Sequence, residues 1–127
     1  MITVLDASAV LALLGDEPGA DRVAAAVGDG ATIGAVNLAE VLTKLADLGM
    51  PRGEADDVLD GLGLEVVAFD ANAAWASSAL RASTRARGLS LGDRAALALA
   101  ASRDAPVLTT DRAWVGAVPS VEVVLVR

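Results

Sequence analysis

The chain has 127 residues, a formal net charge of −7 and 54% hydrophobic residues, with neither histidine nor cysteine. Disulfides, thiolate chemistry and His- or Cys-ligated metals are therefore excluded, and any metal site must be built from oxygen, which suits Mg²⁺ or Mn²⁺. The length fits a single domain, residues 1–127. No apolar run approaches the roughly 20 residues that cross a bilayer, and the start Met1-Ile2-Thr3-Val4-Leu5-Asp6 lacks the marks of a signal peptide, so no membrane association and a cytoplasmic address are expected.

Ile2–Leu5 is a short β-rich run that ends at Asp6. Residues 7–14 read as a helix stopped by Gly15 and Pro18; Pro18 opens a second helix through Val27, closed by Gly28. Ala31–Val36 reads as a strand, and Asn37–Leu48 as a helix with Leu38, Val41, Leu42 and Leu45 on one face and Gly49 as the stop. Pro51 opens a helix to Leu62, and Glu65–Phe69 is a third strand. Asp70 caps a long helix to Arg87, ended by Gly88, and Asp93–Arg103 is an alanine-rich helix. Pro106–Thr109 is a fourth strand, Asp111–Val115 a short helix and Val121–Val126 a last strand. Strands that are continuous apolar runs and alternate with helices predict an α/β fold of three layers, α/β/α, around a central parallel sheet of four to five strands. With Phe69, Trp75 and Trp114 as the only aromatics, the core must be aliphatic.

Four acids, Asp6, Glu40, Asp93 and Asp111, fall at predicted helix starts, three of them after a strand. Taken singly, each has a structural explanation. Asp is a preferred N-cap, carboxylates favour helix N-termini, and Asn37-Leu38-Ala39-Glu40 has capping-box spacing. Taken jointly, they point elsewhere. Ligands of open α/β sheets bind beyond the carboxyl ends of the strands. Asp6, Glu40 and Asp111 belong there, and Asp93 reaches the same edge through a longer connection. Two carboxylates at 4 Å repel by roughly 4 kcal/mol at an effective dielectric of 20, a cost tolerated where a cation compensates. Such a cation would orient an attacking water, lower its pKa and neutralise a phosphodiester transition state.

Ser8, two residues beyond Asp6, and Thr109 and Thr110, just before Asp111, offer hydroxyls to a ligating carboxylate, a bound water or a phosphate oxygen; ordinary turn and cap hydroxyls are the plainer reading. The net charge argues against a general nucleic-acid surface and leaves room for a local one. Arg81, Arg85 and Arg87 form the one dense basic stretch, and Arg94 lies beside Asp93; these four are the candidate RNA-backbone contacts, against a solvated helix end as the structural reading.

The segments Val4-Leu5-Asp6-Ala7-Ser8-Ala9, Asn37-Leu38-Ala39-Glu40, Gly88-Leu89-Ser90-Leu91-Gly92-Asp93-Arg94-Ala95-Ala96-Leu97-Ala98-Leu99-Ala100 and Leu108-Thr109-Thr110-Asp111 together resemble the PIN domain of VapC toxins, in order and across nearly the whole chain. The Gly88–Ala100 segment and the Thr-Thr-Asp ending are the specific ones. The resemblance implies a Mg²⁺- or Mn²⁺-dependent endoribonuclease, the toxin of a type II toxin–antitoxin system, acting on structured or translation-related RNA such as tRNA or rRNA. It also implies a homodimer silenced by a VapB-type antitoxin. Asp6, Glu40, Asp93 and Asp111 match the family's four acidic positions, as metal ligands directly or through water, and Ser8 and Thr109 match positions near the metal. An acidic groove would also steer a basic antitoxin segment.

Two other readings compete. A PIN-like module that binds its partner and cuts nothing would keep the same fold. A receiver-type phosphoacceptor domain shares the α/β alternation and an acidic Mg²⁺ pocket, but needs a Lys near its last strand. The only lysine here, Lys44, lies inside a predicted helix.

Overall fold

The computed structural model describes residues 2–127; Met1, the first residue of the expected domain, lies outside them. Five strands, β1 (Thr3–Leu5), β2 (Ala31–Gly34), β3 (Glu65–Val67), β4 (Val107–Thr109) and β5 (Val123–Leu125), form one sheet in the order β3-β2-β1-β4-β5. Every neighbouring pair is parallel, with Leu5 beside Ile33 on one side and Leu108 on the other. The connections carry helices α1 (Ala7–Leu14), α2 (Ala20–Gly28), α3 (Ala35–Asp47), α4 (Arg52–Asp60), α5 (Ala71–Ala79), α6 (Arg81–Thr84) and α7 (Leu91–Arg103). The expected three-layer α/β/α architecture is thus present, with five strands.

The period-two alternation of the strands builds two cores. Leu5, Ile33 and Leu108 face α1 to α4 and bury Ala9, Val10, Val23, Val41, Leu45 and Ala55. Val4 and Val107 face the opposite way, onto Ala96, Leu97 and Ala100 of α7, with Trp114 and Val121 closing that side. Neighbouring residues of one strand thus serve opposite layers, which is why β1 and β4 read as unbroken apolar runs.

From β1 the chain moves outward through β2 to β3, then crosses back to β4 and continues to β5 on the other side. The strand order therefore reverses between β1 and β4. At such a switch point the connections leave in opposite directions and open a crevice above the carboxyl ends.

Several boundaries differ from the sequence reading, for local reasons. β2 stops at Gly34, whose extended backbone serves as the N-cap of α3 without a side-chain bond. Asn37 therefore lies inside the first turn of α3, and the Asn37/Glu40 capping box does not form. The box occurs instead at Ser90 and Asp93, so α7 starts at Leu91 rather than Asp93. The long helix expected over 70–87 breaks into α5, α6 and a 3-10 turn, Arg85–Arg87. Hydroxyls in that stretch bond backwards to the main chain: Ser77 to Ala73 O, Ser78 to Trp75 O, and both Ser83 and Thr84 to Leu80 O. Such bonds compete with the helical ladder and bend or end it. β3 and β5 are shorter than the apolar runs that contain them, and Asp111–Val115 becomes a 3-10 turn at Arg112–Trp114.

Candidate active site

Asp6 follows β1 directly and caps α1, its Oδ1 accepting the Ala9 N–H at 2.8 Å. It is the most enclosed of the four acids, 5% exposed. Two hydroxyls complete its surroundings. Ser8 Oγ donates to its carboxylate at 2.7 Å and Thr109 Oγ1 at 2.6 Å. Each hydroxyl also accepts a backbone N–H from the segment after β4: Ser8 Oγ from Thr110 at 3.0 Å, and Thr109 Oγ1 from Asp111 at 3.1 Å. Asp6 is thereby wired through two oxygens to the chain that carries Asp111. The two ends of the switch point are held as one unit.

Burial pushes the Asp6 carboxyl above its ordinary value, against the Thr109 and Ser8 hydroxyls and the Ala9 N–H, which favour the anion; the nearby charge of Asp93 adds to the rise. Desolvation wins here over three hydrogen bonds. An ionised Asp6 is therefore short of compensating positive charge.

The other acids are more open. Asp93 is half-buried in the first turn of α7, its Oδ2 accepting the Ser90 N–H at 2.9 Å while Ser90 Oγ accepts the Asp93 N–H at 3.2 Å. Asp111 is exposed and accepts the Ala113 N–H at 2.9 Å through Oδ1. Glu40 is exposed as a residue, with Oε1 accepting from Asn37 Nδ2 at 2.8 Å. One oxygen of each, Asp93 Oδ1, Asp111 Oδ2 and Glu40 Oε2, carries no hydrogen bond from the described residues.

Asp6, Ser8, Asn37, Glu40, Asp93, Thr110 and Asp111 line one cleft of about 570 Å³, with Ala7 and Leu11 beside them. Thr109 lies fully buried beneath it. The cleft is open: among the described residues no group of three or more carboxylates is close enough to hold a metal ion directly. The donor chemistry nevertheless fits a hard divalent cation. Every donor is oxygen, and Mg²⁺ keeps several waters while using one or two protein carboxylates. The fit is to a water-rich site rather than a closed cage of four direct ligands.

None of the four sequence-selected arginines lines this cleft. Arg94 turns away from Asp93, donating from Nη1 to Ser77 O at 3.1 Å, and so ties α7 to α5. Arg87 Nη1 donates to Ala113 O and Val115 O. Arg81 and Arg85 are exposed and make no ion pair among the described residues.

Two residues of the site escaped the sequence reading. Asn37 lies fully inside the domain at the base of Glu40. Gly92 lets the Glu40 carboxylate approach: a Cβ built on Gly92 would lie 2.5 Å from Glu40 Oε2. The signal for Asn37 was its place on the helical stripe shared with Val41 and Leu45, where an aliphatic residue is the rule.

The family model described as PIN domain matches residues 3–117. No curated protein matches the chain in sequence. Among solved structures, the chain is similar to VapBC from Salmonella typhimurium bound to DNA, with TM-score 0.77, 18% identity and coverage of 100% of this chain and 99% of that one. It is also similar to VapBC2 from Rickettsia felis bound to a promoter DNA fragment, with TM-score 0.76, 17% identity and 98% of each chain covered. VapBC-5 from Mycobacterium tuberculosis is similar at TM-score 0.64 and 24% identity, again over 98% of each chain. At these identities the likeness establishes the fold.

Proposed function

The chain belongs to the PIN domain family, and on that premise we propose that it is a metal-dependent endoribonuclease, the toxin of a type II toxin–antitoxin system. The observation that carries this reading is the common cleft: four carboxylates from four elements line one crevice at the switch point, with Asp6 buried at its floor. A structural role for each acid accounts for its local hydrogen bond and not for their shared address.

In this reading Asp6 and Asp93 hold a Mg²⁺ or Mn²⁺ ion, and Glu40 and Asp111 complete its surroundings directly or through water. The ion would supply positive charge to the phosphodiester transition state and lower the pKa of a nearby water. Ser8 and Thr109 fix the Asp6 carboxylate so that its oxygens need no reorganisation when the ion enters. The free oxygens of Glu40, Asp93 and Asp111 are the acceptors that can orient an attacking water. Without a cation, the carboxylates of Asp6, Glu40, Asp93 and Asp111 would repel the RNA backbone.

The partner in this reading is a VapB-type antitoxin, as the VapBC neighbours suggest, and the toxin is a homodimer. With a net charge of −7, the toxin would draw a basic antitoxin segment toward its cleft. Purified protein freed of antitoxin should cleave members of a tRNA and rRNA panel with Mg²⁺ or Mn²⁺ and not with EDTA. Asp6→Ala and Asp93→Asn should each abolish cleavage in folded protein. Undiminished cleavage by both variants would assign the activity to a contaminant or another site. Neutralisation insensitive to salt and to charge reversal in the antitoxin would remove the electrostatic part.

A further inference from the structure

We infer that Asn37 is a positioning residue, which presents Glu40 to the cleft and sets its distance from Asp93. The inference rests on the nuclease reading above, but its support is independent of the four acids. Asn37 is 2% exposed and shares the buried stripe of α3 with Val41 and Leu45. An amide in such a place costs stability unless its polar atoms are satisfied. Here they are only half satisfied. Nδ2 spends both hydrogens, on Glu40 Oε1 at 2.8 Å and on the Gly92 carbonyl at 3.0 Å, while Oδ1 is buried with no partner. A leucine would fill the same stripe without a stranded acceptor, so the interior of the fold does not account for this asparagine. Its donors do.

The two acceptors also dictate the amide's orientation. Reversed, Oδ1 would face a carboxylate and a carbonyl with no hydrogen to share. The bond to Gly92 O is the only side-chain hydrogen bond between α3 and α7 among the described residues, and it lands one residue before Asp93. One NH₂ group thus grips Glu40 on its own helix and the turn carrying Asp93 on the other. Glu40, an exposed residue, is held by this bond in the cleft it shares with Asp6, Asp93 and Asp111; a free side chain would swing into solvent. Asn37 is also the one residue lining both the acidic cleft and the apolar hollow between α5, α7 and the end of β2. It separates the two spaces.

The test is a comparison of wild type, Asn37→Leu and Asn37→Ala, each confirmed folded by circular dichroism and melting. Mn²⁺ binding is followed by the paramagnetic resonance signal of the free ion, and cleavage kinetics by a fluorogenic RNA. Groups that hydrogen-bond a metal's ligands typically contribute 10- to 100-fold to affinity or activity. We expect Asn37→Leu to melt at or above the wild-type temperature while its Mn²⁺ affinity and kcat fall by about that factor and KM for RNA stays within about threefold. In a Glu40→Ala background the same change should cost nothing more, because the group being positioned is gone. Should Asn37→Leu fail to fold, Asn37→Ala carries the same comparison. Wild-type Mn²⁺ binding and kcat in the folded variant, or a full further loss in the Glu40→Ala background, would overturn the role of Asn37 alone. Wild-type protein that neither binds Mn²⁺ nor cleaves RNA would overturn the nuclease reading, and this inference with it.

Discussion

Gly92→Ala separates the stability of this domain from the shape of its cleft. The added Cβ would lie 2.5 Å from Glu40 Oε2 and 2.7 Å from both Cδ and Oε1, whereas ordinary contact begins near 3.4 Å. The carboxylate must therefore retreat by about 0.9 Å, since the rigid partner is the first turn of α7 and the other is the tip of a flexible, exposed side chain. The backbone need not move. Replacing glycine by alanine inside a helix is worth up to about 1 kcal/mol in propensity. The retreat stretches the Asn37–Glu40 bond; water replaces the missing donor on the carboxylate, whereas the buried Asn37 Nδ2 loses an acceptor, a cost of up to about 1–3 kcal/mol. The net change in stability then lies between about 1 kcal/mol in favour of the variant, where the amide follows the carboxylate, and about 3 kcal/mol against it, where the Asn37 donor is left unpaired. Function responds differently, because misplacing a reacting group by about 1 Å can cost on the order of 10²-fold. We expect folded protein whose single-turnover RNA cleavage with Mn²⁺ falls by about 10- to 100-fold. Full activity would show that the Glu40 position is immaterial to the chemistry. A loss of more than about 3 kcal/mol would show that the carboxylate cannot yield and the turn itself is forced apart.

Asp6→Asn should stabilise the metal-free protein at neutral pH. The folded-state pKa of Asp6 lies above the ordinary 3.8, so ionisation penalises the fold as pH rises from 3.8 through the folded value, and no penalty remains below it. The melting difference between variant and wild type should vanish near pH 3.8 and grow upward; a difference independent of pH would refute the assignment. Mn²⁺ at 100 times its dissociation constant should stabilise wild type by about 2.7 kcal/mol and leave Asp6→Asn nearly unchanged. Arg81→Glu with Arg85→Glu should weaken RNA binding and flatten its salt dependence, by a log–log slope of about 0.7 for each phosphate no longer neutralised. Arg94→Ala should instead lower the melting temperature, because its guanidinium joins α7 to Ser77 of α5. Unchanged RNA affinity in the double variant would remove the basic stretch from the binding surface.

The places of Asp6 and Asp111 were legible because Asp6 directly follows β1 and Asp111 comes two residues after the end of β4, strands that are apolar on both faces, and a strand's end fixes where the next residues lie. The start of α3 was not legible from local pattern. Asn37-Leu38-Ala39-Glu40 and Ser90-Leu91-Gly92-Asp93 have the same spacing, and only the second forms a capping box. What separates them is tertiary. β2 is paired to β1 as far as Ile33 and to β3 as far as Gly34, and the chain turns helical immediately afterwards, so Asn37 is already past the cap. The break in the 70–87 helix was likewise hidden, because serine and threonine hydroxyls are tolerated in many helices. Here they bond back to the main chain at four places within eight residues, Ser77 to Thr84. Arg94 looked like a phosphate contact by its place beside Asp93. A helix turns neighbours about 100° apart, and that rotation sends the guanidinium to α5.

Capping and catalysis need not compete for these acids. Asp6 and Asp111 each accept a helix-start N–H on one oxygen, and Asp93 closes its box with Oδ2. The cap fixes each side chain without using up the carboxylate, which offers about four lone-pair sites. For Asp6 the local bonds are also insufficient. A carboxylate given two or three good donors ordinarily titrates low, yet Asp6 titrates high because its burial and the charge of Asp93 outweigh Ser8, Thr109 and the Ala9 N–H. The helix N-terminus at α1 contributes only about 0.3–1 kcal/mol toward an anion. At neutral pH the floor of the cleft therefore lacks positive charge, and no arginine lines the cleft to provide it. A proton on Asp6 would relieve the deficit by removing the anion; a divalent cation would relieve it while Asp6 stays an anion able to accept from Ser8, Thr109 and Ala9. That imbalance, located where the strand order reverses, is the physical argument for a metal-dependent site in a protein with no histidine or cysteine to hold one.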